Sequence, residues 1–355
     1  FVVALDQGRG MGLVLAKAPE GPGSHVVGDP CIVWDAGIRG WRMFLFLDPP
    51  GHGQAVCVSR NPLEPGVWKL EGPLSFTRPQ DLLGGSTHKP FVVMDPFKPN
   101  HAALIQGRFC LLGVSFKDGH KAVQQAWSSS LSGPWAVDPA PLLDLGGPGD
   151  FDGKHVDAVS GYYFRERREF LYFYMGYPRT PQKGRTSPWG SVQAAAVRKE
   201  SETQARKCGP IFDAPPPGHW ASGWVGGLQI LPGKGIPWIA VANASPTAPE
   251  PGDSSASREE PPPSLGGFAT CSQDWPVSSW RWEPDPIEWV KDIPDQALRH
   301  GEGHNLWRQH LLALPEGDLA LFYNSGPYGK EQLYAKSAPS RRILPTKAQL
   351  PFSGS

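Results

Sequence analysis

A repeated unit of short strands and turns is the sequence feature that most constrains how this chain can fold. It is clearest in Gly153–Pro178 (GKHVDAVSGYYFRERREFLYFYMGYP). Polar residues open this segment, and two runs rich in β-branched and aromatic residues follow, separated by the charged turn Arg165–Glu169. Such a pattern is typical of a β-hairpin. The polar opening precedes the first strand, where side chains can project into an open space.

The same order of features occurs five times along the chain. Each time a polar opening leads into three strand-like runs and an edge segment, with a period of roughly 45–75 residues. Four strands at such a period predict an all-β fold, a five-bladed β-propeller with four-stranded blades around a central pocket. An irregular pair of β-sandwiches is the alternative.

The repeat also predicts how the domain is divided. We expect a single domain over residues 1–355, with blades at approximately 28–75, 88–142, 155–212, 222–290 and 302–340. A strand around Val14 would complete the last blade and close the ring.

Composition and charge narrow the class of partner. The 355 residues include 42 Gly, 40 Pro and 14 Trp, which suits many turns between strands and argues against disorder. The formal net charge is zero, and no cluster of Lys and Arg favours nucleic acid. No apolar run reaches the ~18 residues that cross a bilayer. A neutral ligand is therefore the expected partner, and the oligomeric state is left open.

Short motifs and cysteines add little chemistry. The sequence has no GxSxG, P-loop, HExxH or Rossmann fingerprint, which disfavours nucleotide enzymes and other hydrolases, and no organic cofactor is expected. The five Cys lack any CxxC pair and lie mostly in apolar runs, which predicts buried free thiols. The chain begins at Phe1, so a leader is left open, and a secreted or periplasmic location is favoured.

Three carboxyl groups at blade openings are the candidate catalytic residues. Hydrolysis by a pair of carboxyl groups needs one that donates a proton and one that is ionised. Asp29 precedes Pro30, although an ordinary Asx-Pro turn would explain it equally well. Asp157 shares a strand face with His155, where an unpaired polar pair would be costly to bury. Glu302 lies between two glycines that permit close backbone approach. Asp95 and Asp152 are nearby competitors.

Other residues could bind a sugar. His88 and Lys89 would form a donor pair at the pocket rim, able to hold hydroxyl groups or a carboxylate, unless they belong to an exposed turn. Trp224, Trp220 and Trp34 could stack on sugar rings, although aromatic residues more often belong to cores.

Several of these segments resemble the five-bladed propeller glycoside hydrolases of family 43, the arabinanases and xylosidases, and their clan relatives. The resemblance rests on Gly28-Asp29-Pro30, on SSSLSGPW at Ser128–Trp135, on the turn ending at Trp68 and on GEGHN at Gly301–Asn305. The resemblance in the arrangement of strands and turns extends over most of the chain.

The resemblance implies particular roles at the central pocket. Asp29 matches the base of the first blade, and His304 matches a blade-five histidine that binds a central cation, such as calcium, or its water shell. The family's second Asp-Pro is replaced here by His88-Lys89-Pro90. Its blade-three Glu, the general acid, is replaced by Asp157, with Glu302 as a tuning or binding group.

The sequence thus predicts a glycoside hydrolase that cleaves an oligo- or polysaccharide with paired carboxylates. A carbohydrate-binding propeller without catalysis and an interaction scaffold are the alternatives, because a propeller fold alone carries no chemistry. The sugar, the linkage and the stereochemical course are left open.

Overall fold

The hairpin predicted within Gly153–Pro178 is present. Strand β10 (His155–Phe164) pairs antiparallel with β11 (Glu169–Tyr177). The charged turn between them is a short 3-10 helix, Arg165–Arg167, followed by Arg168 with a left-handed φ of 48°. The turn therefore reverses the chain without disturbing either aromatic strand.

Five four-stranded antiparallel sheets arranged in a ring make up the fold, so the predicted five-bladed propeller is confirmed. This computed structural model describes residues 10–16, 18–20, 23–48, 53–64, 67–98, 100–179, 191–212, 215–231, 238–246, 265–271, 280–286, 307–314, 318–326 and 330–339. Within those ranges, no helix is long and apolar enough to cross a membrane.

Each blade begins with the strand nearest the ring axis and proceeds outward. The first blade contains β2 (Val26–Asp35), β3 (Gly40–Asp48), β4 (Gly53–Ser59) and β5 (Lys69–Pro73). The second contains β6 (Thr87–Val92), β7 (Phe109–Lys117), β8 (His120–Ser128) and β9 (Ala136–Val137), and the third contains β10, β11, β12 (Val192–Lys199) and β13 (Arg206–Pro210). The fourth contains β14 (Trp224–Leu231), β15 (Trp238–Ser245), β16 (Leu265–Cys271) and β17 (Trp280–Trp282). The fifth contains β18 (Trp307–Ala313), β19 (Asp318–Ser325), β20 (Gln332–Pro339) and β1 (Gly10–Leu15). Short 3-10 helices at Pro79–Asp81 and Leu83–Gly85 precede β6.

The fifth blade combines the two ends of the described chain, because β1 pairs antiparallel with β20. A strand supplied from the other end of the chain holds the ring together, since opening the ring would break its backbone ladder.

Buried side chains also connect neighbouring blades. The Cys31 sulfur accepts a hydrogen bond from the Val92 N–H at 3.3 Å, and the His310 Nε2 accepts one from the Ile32 N–H at 3.3 Å. Gln229 bonds both the N–H and the C=O of Leu311, at 2.6 and 3.4 Å. Each bond supplies a partner for a backbone group that faces another blade rather than its own sheet.

Aromatic residues and thiols occupy the core. Trp135, at the end of the SSSLSGPW segment, is fully buried, and its backbone N–H donates to the Ser75 carbonyl at 2.8 Å. Trp68 packs edge-on against Phe322 of the fifth blade, with ring centroids 6.4 Å apart. All five cysteines are free thiols and four are buried, whereas Cys208 is exposed on the edge strand β13.

His310 should make stability depend on pH near neutrality. Burial lowers its pKa from 6.5 to about 3, so its neutral ring accepts the bond from Ile32. A folded pKa below the unfolded value means that this stabilisation is complete above pH 6.5 and is lost as pH falls from there toward 3. One such group contributes a slope of up to about 1.4 kcal/mol in unfolding free energy per pH unit.

We expect His310→Gln, whose amide oxygen can accept the same bond, to flatten the dependence of unfolding free energy on pH between 6.5 and 4. Denaturant titrations at several pH values measure this slope. His120→Gln, at a half-buried surface ion pair, is the control. Equal slopes for wild type and the His310 variant would show that His310 is not held neutral.

Candidate functional site at the ring axis

The innermost strand of every blade carries a one-residue β-bulge at the same place. The register slips between Gly28 and Cys31, His88 and Phe91, Asp157 and Ser160, Val225 and Leu228, and Trp307 and His310. A bulge leaves one residue unpaired and redirects a side chain. The five bulges therefore define one equivalent position on the innermost strands around the axis.

Four of the five bulges place a non-glycine residue in the left-handed region. These are Asp29, Lys89, Ala158 and Arg308, with φ of 53°, 52°, 47° and 38°. The fourth blade has Gly226-Gly227 instead and contributes no side chain. Left-handed backbone at non-glycine residues costs of order 1–3 kcal/mol each, and outside turns such residues cluster at functional sites. The cluster at the axis therefore indicates a site.

Asn324 of β19 holds the Asp29 carboxylate and backbone together. The Asp29 N–H donates to the Asn324 Oδ1 at 2.7 Å, and the Asn324 Nδ2 donates to the Asp29 Oδ1 at 3.0 Å. Asp29 is 6% exposed, and its Oδ2 accepts no hydrogen bond from any described residue. One oxygen is fixed by the protein, and the other is available to a water molecule or a substrate hydroxyl.

The two hydrogen bonds between Asn324 and Asp29 depend on the glycine before Asp29. A Cβ added to Gly28 would lie 2.3–2.7 Å from the three terminal atoms of the Asn324 side chain. We expect Gly28→Ala to displace that amide and to lower any activity that depends on Asp29 about as much as Asn324→Ala does, roughly ten-fold or more for lost hydrogen bonds to a charged group. Because both changes remove one interaction, the double variant should lose little more than either single variant. Fully additive losses in that activity would contradict this coupling.

Asp157 holds two lysines at the axis. Its Oδ1 accepts from the Lys89 Nζ at 2.8 Å and from the Ala158 N–H at 2.7 Å, and its Oδ2 accepts from the Lys121 Nζ at 2.7 Å. Asp157 is fully buried, while the side chains of Lys89 and Lys121 are 20% and 25% exposed. Both carboxylate oxygens are therefore engaged by protein donors.

This environment is opposite to what a proton donor requires. Burial alone would raise the pKa of Asp157, but Lys121, Lys89 and His88 overcome that effect and hold the pKa well below its ordinary value. A general acid near neutral pH needs a raised pKa. The described geometry therefore favours an ionised, positioning Asp157 over the proton-donor role predicted from its place in the third blade.

The two predicted histidines lie next to this group. Burial lowers the pKa of His155 to about 4, with Lys121 and Lys154 acting in the same direction, and its Nδ1 accepts a bond from the Lys121 N–H at 3.3 Å. His155 is therefore neutral and does not set the charge of Asp157. His88 is 4% exposed and stacks on Phe116 at 5.4 Å, so it lies inside the wall rather than at an exposed rim.

Arg308 crosses the axis from the fifth blade. Its Nη2 donates to the Val159 carbonyl of the third blade at 2.7 Å, while its Nη1 is buried with no hydrogen-bond partner in the part of the chain that the structure describes. A Cβ on Gly227 would lie 3.3 Å from the Arg308 Cδ, so the side-chain-free fourth blade leaves room for the guanidinium. Burial lowers the pKa of Arg308, and Asp29 and Asp157 raise it, which places both carboxylates within its electrostatic range.

Other candidate residues lie away from this centre. Trp34 is five residues beyond Asp29 on β2, about 16 Å along the strand, and packs against Trp41. Trp220 is buried, and its Nε1 donates to the Glu283 carbonyl at 2.8 Å. Trp34 therefore lies away from the axial bulge, and Trp220 is part of the core.

The two competing carboxylates are also engaged elsewhere. Asp95 accepts a bond from the Phe97 N–H at 3.0 Å within a turn. Asp152 pairs with Lys207 at 2.6 Å and accepts from the Tyr174 hydroxyl at 3.0 Å. Neither residue belongs to the group at the axis.

The side chains of three predicted site residues are not described. Glu302 and His304 lie outside the described residues, and of Trp224 only the backbone, at the start of β14, is described. Within the described ranges, no three His, Cys, Asp or Glu side chains converge as a metal site. The described side chains alone therefore do not form a ligand set for the predicted cation, and no step below involves one.

Sequence reasoning missed Lys121, Asn324 and Arg308. Lys121 lies on β8 and Asn324 on β19, neither of which is an innermost strand, and Arg308 follows the predicted opening of its blade. One available signal was the residue before proline, since Asp29-Pro30 and Lys89-Pro90 occupy equivalent bulges. If the first two blade openings are aligned on that proline, Lys89, rather than His88, is the residue equivalent to Asp29.

The fold is a five-bladed β-propeller like that of glycoside hydrolases of known structure, and the resemblance stated from the sequence is confirmed at the level of fold. A thermostable family-43 glycoside hydrolase matches with a TM-score of 0.60 and 16% identity over 87% of this chain and 88% of its own. An endo-arabinase from Bacteroides thetaiotaomicron matches with a TM-score of 0.57 and 14% identity over 91% and 97%.

A third similar structure comes from the GH130 family of mannoside phosphorylases, which contains glycoside hydrolases that target β-1,2 mannosidic linkages in Candida mannan. Its TM-score is 0.56, with 12% identity over 92% of this chain and 87% of its own. No protein-family model matches the sequence, and no curated protein matches it. At such identities, the likeness establishes the fold alone.

Proposed function

We propose that this protein is a glycoside hydrolase that cleaves an oligo- or polysaccharide at the ring axis. The observation that most supports this proposal is the environment of Asp29. Its carboxylate lies at a left-handed bulge, with one oxygen fixed by Asn324 and the other without a described partner. Such a carboxylate can take a proton from water or attack the anomeric carbon, the two roles that distinguish inverting from retaining enzymes. The similar propeller hydrolases support the same reaction class.

The proton donor in this proposal is Glu302. Asp157 is engaged by two ammonium groups, so the second carboxyl of the pair has to come from another blade opening. Glu302 precedes β18, the strand that carries Arg308, by five residues. In this proposal Asp157 holds Lys89 and Lys121 in place, and Asp29 acts on water or on the sugar.

A carbohydrate-binding propeller without catalysis is the second candidate. The observation that favours it is the engaged Asp157, which removes one expected acid from the described part of the centre. In that case Lys89 and Lys121 would hold the sugar, and no bond would break.

A screen of nitrophenyl glycosides and plant, algal and fungal oligosaccharides separates the two candidates. Product release that vanishes in Asp29→Asn is expected for the hydrolase. Saturable sugar binding by calorimetry, with no product after long incubation, would replace the hydrolase by the binding protein.

A further inference from the structure

Cationic side chains outnumber carboxylates among the described residues at the axis. Lys89, Lys121 and Arg308 carry three positive charges, against two negative charges on Asp29 and Asp157. His155 is neutral, since its pKa is lowered to about 4. An excess of positive charge in a largely buried group is costly unless something compensates it.

The two lysines are close enough to oppose each other. Burial lowers the pKa of Lys89, and the Lys121 ammonium lowers it further, although Asp157 acts in the opposite direction. An ammonium group has three N–H donors, so one bond to Asp157 does not exhaust Lys89. Because both side chains are partly exposed, a ligand can approach them from solvent.

Arg308 provides an independent observation. It is 8% exposed, and its Nη1 has no hydrogen-bond partner among the described residues. Leaving a charged donor buried and unbonded carries a substantial free-energy cost. The Nη1 lies over Gly227, where an added Cβ would be 3.6 Å from it, so on the fourth blade a glycine rather than a polar side chain lies against it. A planar guanidinium matches the oxygens of carboxylate and phosphate groups.

We propose that the ring axis contains an oxyanion-binding subsite formed by Lys89, Lys121 and Arg308. The oxyanion is either the carboxylate of an acidic sugar or free phosphate, which share this chemistry. As a carboxylate subsite it rests on the proposed function and narrows the substrate to saccharides that contain a uronic acid. Asp157 positions the two lysines, and Asp29 stays beside the subsite without entering it.

Equilibrium binding tests the subsite without requiring turnover. Wild-type protein is titrated at low ionic strength with sodium phosphate, with methyl glycosides of glucuronic and galacturonic acid, and with the neutral methyl glucoside and methyl galactoside. We expect at least one anion to bind more tightly than its neutral counterpart, and Lys121→Gln to weaken it about ten-fold. Lys121 is the residue to change because Asp157 keeps Lys89 as a partner.

Lys207→Gln is a matched control. Lys207 is 26% exposed and pairs with the buried Asp152 at 2.6 Å, much as the 25% exposed Lys121 pairs with Asp157 at 2.7 Å. It should leave anion binding unchanged. Arg308→Lys, which keeps the charge but loses the planar donor pair, should also weaken binding, and thermal unfolding verifies that each variant folds.

The outcomes distinguish an acidic sugar from phosphate as the bound anion, and they test the subsite separately from the proposed hydrolase. Tight uronide binding assigns the subsite to an acidic sugar, and tight phosphate binding assigns it to phosphate. Absence of anion binding by the folded wild type, or equal weakening by Lys121→Gln and Lys207→Gln, would overturn the subsite. Cleavage of neutral glycosides together with no anion binding would overturn the subsite alone. Lys121-dependent anion binding without cleavage of any glycoside would overturn only the proposed hydrolase.

Discussion

Asp29→Asn should abolish turnover while leaving the fold intact. Asparagine adopts left-handed backbone readily, and its amide oxygen can still accept the bond from the Asn324 Nδ2. Its amide nitrogen would replace the Asp29 Oδ2, the oxygen that has no described partner, and cannot accept a proton or attack carbon. Removing a positioned acid–base group typically costs 10²–10⁴-fold in rate, so we expect a loss in kcat of about that size.

Initial rates on the best substrate of the screen measure this loss, and thermal unfolding checks the fold. Asp95→Asn is the matched control, since Asp95 accepts a turn N–H away from the axis and should keep full activity. If Asp29→Asn retained near wild-type kcat, Asp29 would have no role in the chemistry and another carboxylate would have to act as base or nucleophile.

Asp157→Asn should have the largest effect on stability. It would leave Lys89 and Lys121 largely buried without the carboxylate that both of them bind. Breaking a buried ion pair by removing one partner costs roughly 3–5 kcal/mol. We expect a loss of that order in the free energy of unfolding at pH 7, measured by denaturant titration. Removing one lysine as well, in Asp157→Asn/Lys121→Gln, should recover part of it.

The pH dependence of this stabilisation has a definite sign. The folded pKa of Asp157 lies well below its ordinary value of 3.8, so the stabilisation is fully present above about pH 4 and is lost as pH falls further. The Asn variant should lack that acid-induced loss. If the Asn variant were as stable as wild type and lost stability at low pH to the same extent, Asp157 would not stabilise the two lysines.

Leaving-group dependence separates a positioning role from a proton-donor role. An aryl glycoside with a good leaving group needs little protonation, so a variant without its acid keeps far more activity on it than on a natural sugar. We expect this selective retention in Glu302→Gln and equal losses on both substrates in Asp157→Asn. The reverse pattern would restore Asp157 as the acid.

Much of the fold is predictable from local sequence. In the third blade, two aromatic and β-branched runs flank a charged turn, and they form β10 and β11 because alternation and turn chemistry act over a few residues. The segment ending at Trp135 closes the second blade in the same way. Repetition of such units predicts the ring, since each blade buries its faces only against similar neighbours.

The sequence by itself determined the propeller and brought Asp29, Lys89 and Asp157 forward as residues at blade openings. Only the tertiary structure decided what each of them does there. A bulge shifts the axial position by one residue, so Lys89 rather than His88 is equivalent to Asp29, while Asp157 lies one position earlier. The charge state of a carboxyl depends on groups from other strands. Lys121 and Arg308 reach the axis from β8 and β18, and no spacing along the chain encodes such distances.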